Sequence, residues 1–235
     1  MQINKNKSIF NVTKIKYLGY TIDGRGISPD EDRAQALQKA PKPTTKEELR
    51  SLLGFLQFYS RFVPGFSDLA HPLFELMEHK EFKWTPEAQK SHSILIKCIL
   101  QGNVLKSFEV GAPSELTVDA SEYALGAVLE QKRQPIIFIS RKLSKAEENY
   151  SQTQKDALAI FWAIRRLHKY LFGAKFKIIT DHQALKHIFH PQASIAKATS
   201  AMLQRWSLEL SAYTFDIEHH SGKKIPQADF LSRFA

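Results

Sequence analysis

The order of strand and helix patterns in the second half of the chain limits the possible folds more than any other feature. Five strand patterns lie at 115–120, 127–131, 135–140, 176–181 and 213–219. A long amphipathic helix pattern at 147–171 separates the third strand from the fourth, and a helix pattern at 200–212 separates the fourth from the fifth. This order predicts an α/β fold in which helices flank one mixed five-stranded sheet.

The first half of the chain has a different pattern. Residues 14–22 alternate as a strand and 23–26 supply turn residues, so we predict a β-hairpin within 1–26. Helical signals then dominate, including a capping box at Thr44–Glu47 followed by apolar residues at helical spacing, and further helix patterns at 67–77 and 87–101. A stretch containing Gly and Pro at 102–114 is the predicted linker. The predicted units are therefore a hairpin (1–26), a small helical bundle (27–104) and the α/β domain (105–235).

Composition adds three expectations. The net charge of +9 indicates a polyanionic partner, although a lysine-rich solvated surface explains the charge equally well. The only cysteine, Cys98, excludes an internal disulfide framework and lies in an apolar run, so we expect it to be buried. Because no apolar run is long enough to span a bilayer, we expect no membrane contact and a cytoplasmic or nuclear protein.

Two of the predicted strands end in an acid. Asp119 and Asp181 each follow an apolar run, and a charged acid in such a place needs a partner. Mg2+ prefers a small number of carboxylate oxygens together with waters and substrate phosphate, so acids at one sheet edge suit phosphodiester chemistry. The alternative is that each aspartate caps the turn or helix that follows it.

Six motifs follow one another in the order seen in the polyproteins of gypsy-type LTR retrotransposons. They are Lys16–Ile22, Leu49–Phe62, Phe82–Thr85, Val118–Ser121 with Gly126–Gln131, Ile179–Leu185, and Ala228–Arg233. The chain thus resembles the end of a reverse transcriptase palm and its thumb, followed by a ribonuclease H domain. The resemblance implies cleavage of the RNA strand of an RNA/DNA hybrid with two Mg2+ ions, for which Mn2+ can substitute.

The resemblance also assigns the acids. Asp119, Asp156, Asp181 and Asp229 fall on the four catalytic, metal-binding positions. Asp156 stands where the family usually has glutamate, and helix phase favours it over Gln154, two residues away. Its side chain is shorter by about 1.5 Å of reach. Since a misplacement of about 1 Å can cost on the order of 100-fold in rate, we expect weakened activity; the alternative is that Asp156 is an ordinary exposed helix residue.

Nucleic-acid contacts are predicted at two places. Arg141, Lys142, Arg165 and Arg205 are candidates for phosphate contacts along the hybrid. In the hairpin, Leu18, Gly19 and Tyr20 resemble a primer-binding turn, which would act only together with the rest of a palm.

Three hypotheses about function remain open at this point. The first is an active ribonuclease H, acting on a hybrid, whose partners include the remaining domains of a polyprotein. The second is an inactive or domesticated remnant that binds nucleic acid or protein without cutting. The third is a fragment that contributes thumb contacts to a separate polymerase domain. Because the chain has no Asp-Asp dipeptide to hold polymerase metals, we do not expect it to polymerise DNA alone.

Overall fold

The computed structural model describes residues 8–101, 103–189 and 201–220. Within these ranges the strands are β1 (Lys14–Tyr17), β2 (Tyr20–Asp23), β3 (Gly26–Pro29), β4 (Ser114–Ala120), β5 (Ala124–Gln131), β6 (Gln134–Lys142), β7 (Lys175–Thr180) and β8 (Thr214–His219). The helices are α1 (Glu31–Lys39), α2 (Lys46–Phe58), α3 (Phe66–Leu69), α4 (His71–Glu78), α5 (Pro86–Leu100), α6 (Lys145–Glu148), α7 (Gln152–Arg166), α8 (His168–Leu171), α9 (Leu185–Ile188) and α10 (Ala201–Leu210). None of these helices is long and apolar enough to cross a membrane.

The predicted mixed five-stranded sheet is confirmed. Its strand order is β6-β5-β4-β7-β8, in which β4, β5 and β6 run antiparallel while β4, β7 and β8 run parallel. A two-residue turn at Lys132 and Arg133, both with positive φ, joins β5 to β6 and suits the twist of an antiparallel pair. The parallel strands need longer crossovers, which the helices between them supply.

One face of the sheet is covered by α7. Its buried residues Ala157, Ile160 and Ile164 pack in a cluster with Leu116 of β4 and Ile178 of β7. This packing gives the second half of the chain its own hydrophobic core, and it holds the N-terminal end of α7 against the sheet.

The prediction of one long helix at 147–171 is wrong, because the structure has three separate helices there, α6, α7 and α8. Ser144 and Ser151 each begin a helix with a complete capping box, closed by Glu147 and Gln154 respectively. The serine at 151 satisfies the free backbone groups of a new helix start. The apolar spacing of the segment alone could not reveal this restart.

The N-terminal hairpin prediction is incomplete. A turn at Leu18 and Gly19, with φ of 48° and 83°, divides the predicted strand at 14–22 into β1 and β2. A third strand, β3, then pairs antiparallel with β2. Helix α1 begins only after Asp30, whose side chain accepts hydrogen bonds from the backbone of the first turn.

The helices α1 to α5 form what we call the helical segment (31–100), and its helix α3 packs against β5 and β6 on the opposite face of the sheet. The helix predicted at 67–77 is divided at Ala70 into α3 and α4. Side chains on β5 alternate between the two faces. Leu129 belongs to the cluster with α7, whereas its neighbour Val128 belongs, with Phe138 of β6, to the core of the helical segment. Cys98 is buried in this second core, as predicted. The predicted domain limits stay predictions, but packing is continuous across them.

The shared core yields a stability prediction. Phe138 is 8% exposed and lies in the core of the helical segment. We expect Phe138→Ala to lower the free energy of unfolding by about 3 kcal/mol, because it leaves a cavity between the two halves. Urea denaturation followed by circular dichroism measures this loss.

The matched control is Phe172→Ala, since Phe172 is 60% exposed. This control should change the free energy of unfolding by less than about 1 kcal/mol. Equal, small losses in the two variants would show that the helical segment does not pack on the sheet.

Candidate metal and nucleic-acid site

Asp119 and Asp181 lie at one edge of the five-stranded sheet. Strands β4 and β7 are parallel, with Thr117 opposite Ile179. Asp119 and Asp181 each stand two residues beyond that pair, so the parallel register brings the two acids to the same end of neighbouring strands. Both are exposed to solvent. The prediction that these strand-end acids share one edge agrees with this placement.

Asp156 approaches this edge from the N-terminal part of α7. It is only 4% exposed, so the alternative of an ordinary exposed helix residue is wrong. The side-chain amide Nε2 of Gln152 donates to Asp156 Oδ1 over 2.9 Å and to the backbone oxygen of Ala120, next to Asp119, also over 2.9 Å. We refer to Asp119, Asp156 and Asp181 as the carboxylate cluster.

Two acids of the carboxylate cluster, Asp156 and Asp119, have a raised pKa. Burial raises the pKa of Asp156 to about 7; the hydrogen bond from Gln152 opposes this shift, and the charges of Asp181 and Asp119 add to it. The pKa of Asp119 is also raised, first because surrounding protein reduces its hydration, and then because Asp181 and Asp68 lie nearby. Asp119 still reaches solvent, as a group that meets a dissolved ion must.

The donor chemistry of the carboxylate cluster fits a divalent cation. Within the described ranges, none of its three acids forms an ion pair with a basic side chain. No three His, Cys, Asp or Glu side chains in those ranges are arranged to hold one ion together. Mg2+ usually takes one or two protein carboxylates and completes its shell with waters and substrate phosphate, so pairs of acids suffice. The fourth predicted ligand, Asp229, lies outside the described residues.

Asp68 of α3 is a neighbour of the site that sequence reasoning missed. Its carboxylate accepts a hydrogen bond from the hydroxyl of Ser121, 53 residues away, just after β4. The same hydroxyl oxygen accepts hydrogen bonds from the backbone of Tyr123 and Ala124, at 3.1 and 2.9 Å. Asp68 therefore ties the helical segment to the turn beside Asp119. No local sequence signal joins these positions, because only the packing of α3 on the sheet brings them together.

Three of the four predicted phosphate-binding residues have acidic partners. The ion pairs are Arg141–Glu147, Lys142–Glu78 and Arg165–Glu209, with shortest N–O distances of 2.8, 3.0 and 2.7 Å. Arg141 bonds both oxygens of its partner, and this bond lowers the pKa of that carboxyl to about 2. Arg205 is exposed on α10. Contact of these residues with nucleic acid stays a prediction, and the paired ones would have to exchange an acid for a phosphate.

The three hairpin residues differ in their surroundings. The Gly19 carbonyl accepts a hydrogen bond from the Tyr59 hydroxyl at 2.8 Å, and the Tyr20 ring stacks on Phe58 with centroids 4.9 Å apart. These contacts fasten the hairpin to α2 and its C-terminal end. Leu18 is 69% exposed at the tip of the turn and is free to contact a partner.

The sequence of the chain is similar to that of known proteins. Residues 109–213 match the family described as the RNase H-like domain found in reverse transcriptase. Over 99% of its length, the chain is 34% identical to the Retrovirus-related Pol polyprotein from transposon 297 of Drosophila melanogaster. Over 98% it is 32% identical to the Transposon Tf2-3 polyprotein of Schizosaccharomyces pombe. The chain spans 22% and 18% of the lengths of these two relatives.

Solved structures show the same fold at lower identity. The foamy viral protease-reverse transcriptase in complex with dsDNA matches 92% of this chain and 47% of its own, with a TM-score of 0.76 and 20% identity. The same viral protein in complex with RNA/DNA hybrid matches 91% of this chain and 30% of its own, with a TM-score of 0.72 and 22% identity. The likeness therefore includes the helical segment as well as the five-stranded sheet.

The raised pKa of Asp156 predicts a pH-dependent stability. From the ordinary value of 3.8 up to about 7, the folded state retains a proton that the unfolded state releases. The stabilisation from this proton is complete below the lower pKa and is lost as pH rises through the higher one. Asp156→Asn never ionises, so its free energy of unfolding relative to the parent should rise by about 2–3 kcal/mol between about pH 5 and about pH 8.

Chemical denaturation at the two pH values measures this difference. The control is Asp216→Asn, because Asp216 is an exposed acid of β8 paired with Lys175. Its effect on stability should be nearly the same at both pH values. A constant stability difference between Asp156→Asn and the parent would show that Asp156 ionises normally in the folded protein.

Proposed function

We propose that this chain, whose residues 109–213 form an RNase H-like domain of the kind found in reverse transcriptases, hydrolyses the RNA strand of RNA/DNA hybrids. The observation that carries the proposal is the parallel pairing of β4 with β7, which puts Asp119 and Asp181 at one edge beside Asp156. Mutually repelling acids without a basic partner in the described ranges are what a divalent cation and a phosphate would stabilise.

The four acids differ in their position in the proposed site. Divalent ions bound at this edge would lower the pKa of the attacking water and stabilise charge on the leaving oxygen. Asp119 and Asp181 face solvent, so they can hold ions where a phosphate arrives. Asp156 is buried and accepts a hydrogen bond from Gln152. Asp229 is proposed as the fourth ligand on its sequence motif alone.

The hybrid is proposed as substrate on two grounds. A viral reverse transcriptase with the same fold has been solved in complex with RNA/DNA hybrid. The net charge of +9 favours a partner with a phosphate backbone. Selection of the RNA strand would rest on its 2′-hydroxyls, which are the groups that distinguish RNA from DNA.

Other polymerase domains are the proposed protein partners. The chain spans about a fifth of the length of its relatives. Several large apolar side chains near the N-terminal hairpin are exposed, among them Phe10 at 76%, Tyr17 at 58% and Leu18 at 69%. Such a surface suits a further domain that packs against the hairpin.

A non-cleaving remnant that binds nucleic acid is the second candidate function. The observation that favours it is Asp156, whose short side chain is almost completely buried. Compared with glutamate, aspartate places its carboxylate about 1.5 Å farther from the site and therefore holds an ion poorly. A displacement of this size can lower the cleavage rate on the order of 100-fold. Nucleic-acid binding would survive such a loss.

A cleavage assay separates the two candidates. The full chain is incubated with a labelled RNA/DNA hybrid and Mg2+ or Mn2+. We expect slow cleavage by the parent and loss of cleavage in Asp119→Asn, because this change removes a charged ligand. Asp156→Glu should raise the rate by up to about 100-fold, since it restores the missing reach.

The control for charge removal is Asp216→Asn, which lies on β8 and forms an exposed ion pair with Lys175. It should cleave like the parent. Binding of the hybrid without cleavage, under either metal and also in Asp156→Glu, would reject the enzyme and favour the remnant.

A further inference from the structure

We propose that Gln152 is a positioning residue that holds the Asp156 carboxylate in its metal-binding orientation. The inference rests on the proposed function, and it deepens it by assigning a residue that no sequence motif marks. Gln152 is the first residue of α7, and Asp156 follows one helical turn later.

The amide group of Gln152 joins two parts of the site. Nε2 has two protons: one is donated to Asp156 Oδ1 and the other to the carbonyl oxygen of Ala120, both over 2.9 Å. Ala120 is the residue after Asp119 and lies 32 positions before Gln152. A single side chain therefore connects the end of β4 to the carboxylate on α7.

This hydrogen bond is important for Asp156 because its carboxylate has few other partners among the described residues. Within the described ranges, Gln152 is the only group that donates to the Asp156 carboxylate. The bond occupies Oδ1 and leaves Oδ2 as the oxygen available to a cation. A neutral amide can do this without repelling a metal ion, which a lysine or arginine in the same place would do. Without the amide, a short, buried carboxylate loses its fixed rotation.

The start of α7 does not depend on Gln152. Ser151 accepts a hydrogen bond from the Gln154 backbone, and the Gln154 side chain accepts one from the Ser151 backbone at 2.9 Å. Alanine at position 152 preserves this capping box and is a good helix former. Gln152→Ala should therefore fold like the parent, which makes a specific test possible.

The first measurement is Mn2+ binding by the full chain, without substrate. Gln152→Ala should weaken the dissociation constant about tenfold or more, as is typical when the partner that orients a metal ligand is removed. The matched control is Gln154→Ala on the same helix, which loses a capping bond but should bind Mn2+ like the parent. A thermal melt of each variant checks that the fold is retained.

The second measurement is hybrid cleavage. Gln152→Ala should lower kcat by roughly 10–100-fold and leave KM for the hybrid unchanged, since the proposed role of the amide is to orient Asp156 and not to bind the hybrid. In an Asp156→Glu background the same change should have little effect, because the longer side chain carries the carboxylate past the amide. A purely structural role for Gln152 would give equal losses in both backgrounds.

The outcomes separate this inference from the proposed function. If the parent cleaves the hybrid while Gln152→Ala cleaves and binds Mn2+ equally well, the inference is overturned and the proposed function stands. If the parent binds Mn2+ without cleaving and Gln152→Ala weakens that binding, the function falls and the positioning role stands. A parent that binds no Mn2+ overturns the positioning role.

Discussion

The parallel pairing of β4 with β7 is the constraint on which the site depends. Parallel strands end at the same edge, so an acid at the end of each is forced close to another acid. The strands cannot slip to relieve this repulsion, because both faces of the sheet are packed, by α7 on one side and by the helical segment on the other. The fold therefore supplies the energy that keeps the carboxylate cluster together.

The sequence revealed the parts of this arrangement that depend on local periodicity. The apolar runs before Asp119 and Asp181 marked strand ends, and their order predicted the mixed sheet. Breaks within apparently regular patterns were harder to see. Alternation continues through Leu18 and Gly19 although the chain reverses there, and the amphipathic pattern continues through Ser151 although a helix restarts. In both cases the hydrogen bonds of a turn or cap, and not the hydrophobic spacing, decide the local structure.

Contacts between residues far apart in the sequence could not be predicted from any sequence pattern. The bond of Gln152 to Ala120 and that of Ser121 to Asp68 join positions 32 and 53 residues apart. The resemblance to retrotransposon polyproteins picked out Asp156, but only the structure shows that it is buried and held by one amide. Asp156 thus combines a shortened side chain with a neighbour that fixes it, and the two features have to be considered together.

The core shared by the helical segment and the sheet also limits which parts of the chain recombination can move separately. Val128 and Phe138 fill that core from the sheet side. A recombination event that moved the α/β domain alone into another gene would leave these side chains facing water, and the product would be prone to aggregate. Recombination that keeps the protein stable is therefore expected to transfer both halves as one cooperative unit, with crossover points outside the segment that joins them.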